Sequence, residues 1–202
     1  MIRAIFIRHG QSTANIGLPT KNFAEVPLTE LGWEQARTLA ARWEFTPGLI
    51  AASPFLRTQQ TAQPTVARFP DVPVETWPVY EFTFWDPAHW SGSEPKDMMH
   101  EVDRYWNEAD PEERFGGGAE SFGMMLARAE DTFRRLEAVH AETPVLVFTH
   151  GHFIQSLRLT ALHPEWSAHE KMRGFRALDD KRWVQNTELV PAEFDGTRWK
   201  MD

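Results

Sequence analysis

Three stretches of this sequence hold residues whose types and spacing invite chemistry: Arg8-His9-Gly10-Gln11-Ser12-Thr13-Ala14-Asn15, Ser53-Pro54 with Arg57, and Thr149-His150-Gly151-His152. Each follows directly on a short apolar run, at residues 2–7, 49–52 and 145–148. In an open α/β sheet, ligands collect beyond the carboxyl ends of strands and against helix N-termini. Three independent exits of this kind deliver two arginines and two or three histidines to one edge. Lys and Arg total 21 against 29 Asp and Glu, a net charge of −8, so this local concentration of cations runs against the global field. An anion site is the natural reading, and phosphate fits it best. Guanidinium offers a planar fork of donors matched to phosphoryl oxygens. Residues 10–15 can add backbone amides and the Asn15 amide at a helix start, and a neutral imidazole is a competent nucleophile. A single His after a strand, or a single Arg near a helix start, is ordinarily structural; the coincidence of three exits carries the argument.

The apolar runs that position these residues are nearly continuous, as expected of strands covered on both faces in a largely parallel sheet. Helical patterns separate them: residues 29–43 with Thr29 as N-cap, residues 55–69 with Pro64 expected to break or kink the helix, residues 121–140 with an apolar stripe that packs into the core, and about 153–162. The tail, residues 184–190 and 197–200 around Asp195-Gly196, has the signature of a closing hairpin. Together these predict a three-layer α/β/α sandwich with a mostly parallel central sheet. The 202 residues suit a single domain. Residues 82–118 form an exception, with Trp85, Trp90, Trp106, three prolines and Gly116-Gly117-Gly118. They are expected to be an insertion that leaves the sheet, either as a cap over the site or as a packed irregular surface segment.

With these motifs in order, the sequence closely resembles the histidine phosphatase superfamily, which includes the cofactor-dependent phosphoglycerate mutases. Arg8-His9-Gly10-Gln11-Ser12 followed by Asn15 is similar to its signature. The resemblance continues through Pro27-Leu28-Thr29-Glu30-Leu31-Gly32 with Gln35-Ala36, through Ser53-Pro54 with Arg57 and Gln60-Thr61-Ala62, through Gly117-Gly118-Ala119-Glu120-Ser121-Phe122, and to Thr149-His150-Gly151. It implies that His9 is the nucleophile forming a phosphohistidine, and that Arg8, Arg57 and His150 surround the phosphoryl oxygens. Asn15 and Gly151 would complete the phosphate site, and Glu81 would be the general acid and base. The sequence departs from the family pattern after the acid, reading Glu81-Phe82-Thr83-Phe84-Trp85-Asp86-Pro87. Asp86 is therefore the alternative to Glu81.

His152 admits two readings, as a pocket or helix-cap residue or as half of a His-x-His metal pair. No acidic residue accompanies the three exits, so the expectation is no metal and no cofactor. The remaining histidines, His89, His100, His140, His163 and His169, carry no argument. Zero cysteines exclude disulfides and thiolate chemistry. The acidic balance excludes a nonspecific nucleic-acid binder, no run reaches the ~20 apolar residues of a membrane span, and residues 2–7 end in Arg8-His9 rather than a cleavage site, so a cytoplasmic location is expected. The reaction expected is hydrolysis of a small phosphorylated substrate. Mutase-type transfer and non-catalytic phospholigand binding stand as alternatives. Insertion cations such as Lys96, Arg104 and Arg114 are few among aromatics and acids, which favours a bulky, partly apolar or aromatic leaving group over a phosphoglycerate.

Overall fold

The computed structural model describes residues 1–19, 22–84 and 95–201. Its centre is a six-stranded sheet of order β3-β2-β4-β1-β5-β6. The strands are β1 (Ile2–Arg8), β2 (Leu49–Ala52), β3 (Val74–Thr76), β4 (Val145–Thr149), β5 (Leu189–Phe194) and β6 (Trp199–Met201). The first four are mutually parallel, and β5 and β6 close one edge antiparallel. The apolar runs are continuous because alternate residues serve opposite faces. Ala4, Phe6, Leu49, Ala51, Val145 and Val147 face one core, while Ile7, Ile50, Ala52, Leu146 and Phe148 face the other.

On the first face pack α4 (Phe122–Ala138), α5 (Gly151–Leu162) and α6 (Ala168–Lys181), through Phe122, Met125, Phe133, Leu157 and Phe175. On the second lie α1 (Glu30–Ala41) and α2 (Leu56–Arg68), through Leu39 and Ala62, with Trp43 just beyond α1. The sandwich predicted from the sequence is the fold observed. Among the described residues no helix is long and apolar enough to cross a membrane.

Thr29 caps α1 as predicted, its hydroxyl accepting from Gly32 N–H. Several expectations are corrected. The second helix runs straight through Pro64; the ring forfeits the bond to the Gln60 carbonyl, but buried Thr61, Ala62 and Thr65 hold both flanking turns against the sheet. The closing hairpin turns at Asp195-Gly196, but its first strand begins at Leu189 rather than 184. Residues before it are committed elsewhere: Thr187 sits at φ 58° and donates its N–H to the Arg8 carbonyl. The short edge strand β3 and the helix α6 were not anticipated.

Within 82–118 the described part holds a helix, α3 (Pro95–Glu108), also unanticipated. Tyr105, Ala109, Phe115 and Ala119 are buried in the larger core, and Trp106 stacks on Phe175 with ring centroids 5.6 Å apart. Trp85 and Trp90 lie outside the described residues.

The stretch that leaves β1 is pressed onto the first turn of α1. A Cβ on Gly32 would sit 2.1 Å from the Gln11 carbonyl oxygen, and one on Gly10 would sit 2.7 Å from the Gly32 carbonyl oxygen. Gly32→Ala must therefore push the two backbones apart. The expected loss is about 1–3 kcal/mol, the usual range for overpacking, and a melting temperature lower by a few degrees per kcal/mol. Gly117→Ala, with nothing within 4 Å of the new methyl, should stay within about 0.5 kcal/mol. Urea and thermal unfolding of the two variants check this.

Candidate active site

Strands β2, β4 and β1 are neighbours, and their carboxyl ends lie side by side with Arg8 in register with Thr149. Pairing continues one residue beyond the strands. His9 N–H donates to the Thr149 carbonyl and Ser53 N–H to the Phe148 carbonyl, each at 3.0 Å. The three exits foreseen from the sequence are thus brought together.

His9 is 3% exposed. Its Nδ1 lies 2.7 Å from the Gly10 carbonyl oxygen. A carbonyl only accepts, so the proton resides on Nδ1 and the lone pair is on Nε2. That lone pair receives the Arg57 Nε–H at 3.1 Å. The His150 ring stands 5.2 Å from the His9 ring, with its Nε2 2.9 Å from Ser53 Oγ. Ser53 Oγ accepts from Phe55 N–H and can give its own proton to His150 Nε2, an arrangement in which the His150 ring proton sits on Nδ1. His150 Nδ1 and Arg8 Nε are buried nitrogens without a hydrogen-bond partner. Buried donors of this kind are expensive unless a ligand satisfies them.

Burial, reinforced by the positive charge of Arg57, pushes both imidazoles well below their ordinary pKa. Both are neutral at physiological pH. Burial also pulls Arg57 down to about 10, partly countered by the charge of Glu81, and it remains a cation at neutral pH. Arg8 donates to the Val184 carbonyl and lies with its guanidinium carbon 4.8 Å above the Trp183 ring. Gly151, first residue of α5, backs Arg8, since a Cβ there would contact Arg8 Nε at 3.6 Å.

Asn15 is anchored through its side-chain oxygen. Its Oδ1 accepts from Ser12 N–H at 3.0 Å and from Asn186 Nδ2 at 3.3 Å, closing the turn at residues 12–15. Asn186 also donates to the His9 carbonyl at 2.8 Å. No sequence spacing announces a residue 177 positions away. Glu81 does not end a strand, because β3 stops at Thr76. It lines a cavity of about 210 Å³ with Arg57, Phe23, Phe55, Phe82, Thr83, Phe84 and His152. Asp86 lies outside the described residues.

His152 lines this cavity, with Asp179 behind it at 3.4 Å. Burial lowers its pKa, but the Asp179 hydrogen bond and the charges of Glu81 and Asp179 outweigh this and the net shift is upward. Among the described residues no three His, Asp or Glu side chains converge to hold a metal ion.

A family model for the histidine phosphatase superfamily (branch 1) matches residues 4–202, and the chain belongs to that superfamily. It is 24% identical over 192 residues to a metal-independent phosphoserine phosphatase of Arabidopsis thaliana, a match spanning 89% of this chain and 78% of that protein. Its fold is shared with a mycobacterial glucosyl-3-phosphoglycerate phosphatase in complex with VO3, at TM-score 0.72 and 23% identity, covering 100% of this chain and 98% of that one. It is shared also with the alpha-ribazole phosphatase of Shigella flexneri, at TM-score 0.73 and 24% identity, covering 100% and 95%.

The two neutral histidines make stability depend on pH in a definite direction. In the unfolded chain imidazole titrates near 6.5, above its folded value at His9 and His150, so the unfolded state binds more protons below that pH. Their contribution is complete above about pH 7 and is lost as pH falls from ~6.5 toward the folded values, at up to about 1.4 kcal/mol per pH unit for each histidine. His152, shifted upward, contributes at low pH and loses its contribution only above ~6.5, so the windows do not overlap. Urea midpoints between pH 6.5 and 5 should fall steeply for the wild type and less steeply for His9→Gln and His150→Gln. Equal slopes in all three proteins would show that these rings do not carry the effect.

Proposed function

We propose that this protein hydrolyses phosphomonoesters through a phosphohistidine at His9. The observation that carries the reading is the His9 imidazole, neutral, buried, and fixed by the Gly10 carbonyl in the tautomer that leaves Nε2 basic. A substrate phosphoryl group takes over the Arg57 Nε–H that Nε2 now accepts, freeing the lone pair for attack. Arg8 Nε and His150 Nδ1, which have no protein partners, donate to the phosphoryl oxygens, where positioned charge does most of the catalytic work. As the P–O bond breaks, the Glu81 carboxylate passes to the leaving alcohol a proton brought in by a monoanionic phosphate ester. The carboxylate then takes a proton from water, whose oxygen attacks phosphorus, and His9 Nε2 leaves with its electron pair. Asn15, anchored by its Oδ1 to Ser12 N–H, offers its side-chain amide N–H to the phosphoryl oxygens, and Gly151 lies against Arg8.

The leaving group occupies the cavity beside Arg57. Four phenylalanines wall it, and its 210 Å³ exceeds the ~150 Å³ that suffices for benzene in an engineered apolar cavity. That favours a one-ring or similarly apolar alcohol. Among the described residues, the insertion's two arginines are engaged within the insertion and its flank, which favours hydrolysis over a phosphoglycerate mutase. Arg104 pairs with Glu101, Glu108 and Glu113, and Arg114 donates to the Ala119 and Gly117 carbonyls.

Hydrolysis of p-nitrophenyl phosphate in the presence of EDTA tests the proposal. Wild type should remain active with chelator and be inhibited by millimolar vanadate, and His9→Ala should be inactive. Loss of activity with EDTA would indicate a metal route, and an inactive wild type would indicate a binding module.

A further inference from the structure

Glu81 has no strand to hold it, yet the carbonyls of residues 78, 79, 80 and 83 around it are all engaged. Arg128 Nη1, from the middle of α4, donates to the Pro78 carbonyl at 2.7 Å and the Tyr80 carbonyl at 3.1 Å. Thr149 Oγ1, at the end of β4, donates to the Val79 carbonyl at 2.6 Å. On the far side, Glu120 N–H donates to the Thr83 carbonyl at 2.9 Å. Arg128 is itself held in place by a two-pronged ion pair, Nε to Glu120 Oε1 at 2.6 Å and Nη2 to Glu120 Oε2 at 2.8 Å. Glu120 is 4% exposed, and a planar fork meeting a carboxylate in this way fixes direction as well as distance.

The same guanidinium reaches the aromatic wall of the site. Its carbon lies 3.7 Å above the Tyr80 ring. Tyr80 stacks on Phe55 with centroids 5.7 Å apart, and Phe55 meets the His150 ring edge-on at 5.2 Å. One arginine thus grips the residue preceding Glu81 by its carbonyl and by its ring.

We propose that Arg128, locked by Glu120, is a positioning residue that sets where the Glu81 carboxyl stands relative to the leaving oxygen. This rests on the reading of Glu81 as the general acid. Lysine at 128 cannot form the fork and the two carbonyl bonds together, and glutamine at 120 keeps the shape of its partner while losing the charge. Either change lets the Tyr80–Glu81 segment drift.

A leaving-group series separates positioning from mere structure, because a general acid matters most when the departing alkoxide is basic. For Arg128→Lys, kcat/KM, which reports transfer to His9 and not the later attack of water, should fall about 10–100-fold on an alkyl phosphate, while kcat/KM on p-nitrophenyl phosphate, whose leaving group departs readily without a proton, should change about twofold or less. Glu120→Gln should give the same pattern more weakly, and serves alone if Arg128→Lys does not fold. In a Glu81→Gln background neither change should produce a further leaving-group-dependent loss. Equal losses on both substrates, or losses that add to those of Glu81→Gln, would overturn the positioning role. If Glu81→Gln alone shows no dependence on the leaving group, the general-acid reading itself falls, and the role of Arg128 falls with it.

Discussion

Everything in this site depends on keeping one imidazole unprotonated among cations. Arg57 touches His9 directly and Arg8 precedes it in the chain. Solvated, His9 would be partly protonated near its usual pKa; buried at 3% exposure beside Arg57, it is neutral. The Gly10 carbonyl then decides which nitrogen keeps the proton. Burying two guanidiniums costs free energy, and their unfilled bonding capacity is what a phosphate dianion would supply. The apparent defects of the site, Arg8 Nε and His150 Nδ1 without partners, belong to the same economy.

That constraint explains the close contact of glycines behind the nucleophile. For the His9 ring to remain dry, the chain leaving β1 must lie flat against α1, and Gly10 and Gly32 allow an approach that any Cβ would prevent. Arg158, 1% exposed in α5, and Glu188 reinforce the opposite side of the β1 exit. The loop is rigid because it is packed on both flanks, so the nucleophile needs little reorganisation when substrate arrives.

The sheet was legible because continuous apolar runs with abrupt ends are local signals, and the cations sit immediately beyond those ends. The short β3 was not, since three exposed residues form a strand only by pairing with β2. Helix α6 has a narrow buried stripe of Lys171, Met172 and Phe175 in an otherwise charged segment, and Pro64 looked decisive only because helix packing on the sheet cannot be seen in one dimension. At the site, His9, His150, Arg8 and Arg57 were found by adjacency to strands, and Glu81 by resemblance. The network that holds them was hidden: Asn186, Asp179 and the Ser53–His150 bond join positions far apart in the chain.

The division of labour between the two parts of the pocket follows from how each is anchored. The end lined by Arg8, His9 and His150 is built on strand termini and admits little displacement, because a shifted guanidinium would leave a buried charge uncompensated. The leaving-group end draws Phe23 from a short 3-10 turn, Phe55 from the start of α2, and Phe82 and Phe84 from a segment with no regular structure. Such walls can change size without disturbing the sheet. Glu81, the proposed acid, stands at the seam, carried on the segment without regular structure. A segment free to vary in sequence cannot by itself hold an acid to the tolerance that proton transfer demands. Its bonds run instead to Thr149 on β4 and, through Arg128, to α4, so the acid is referenced to the same rigid layers that carry the nucleophile.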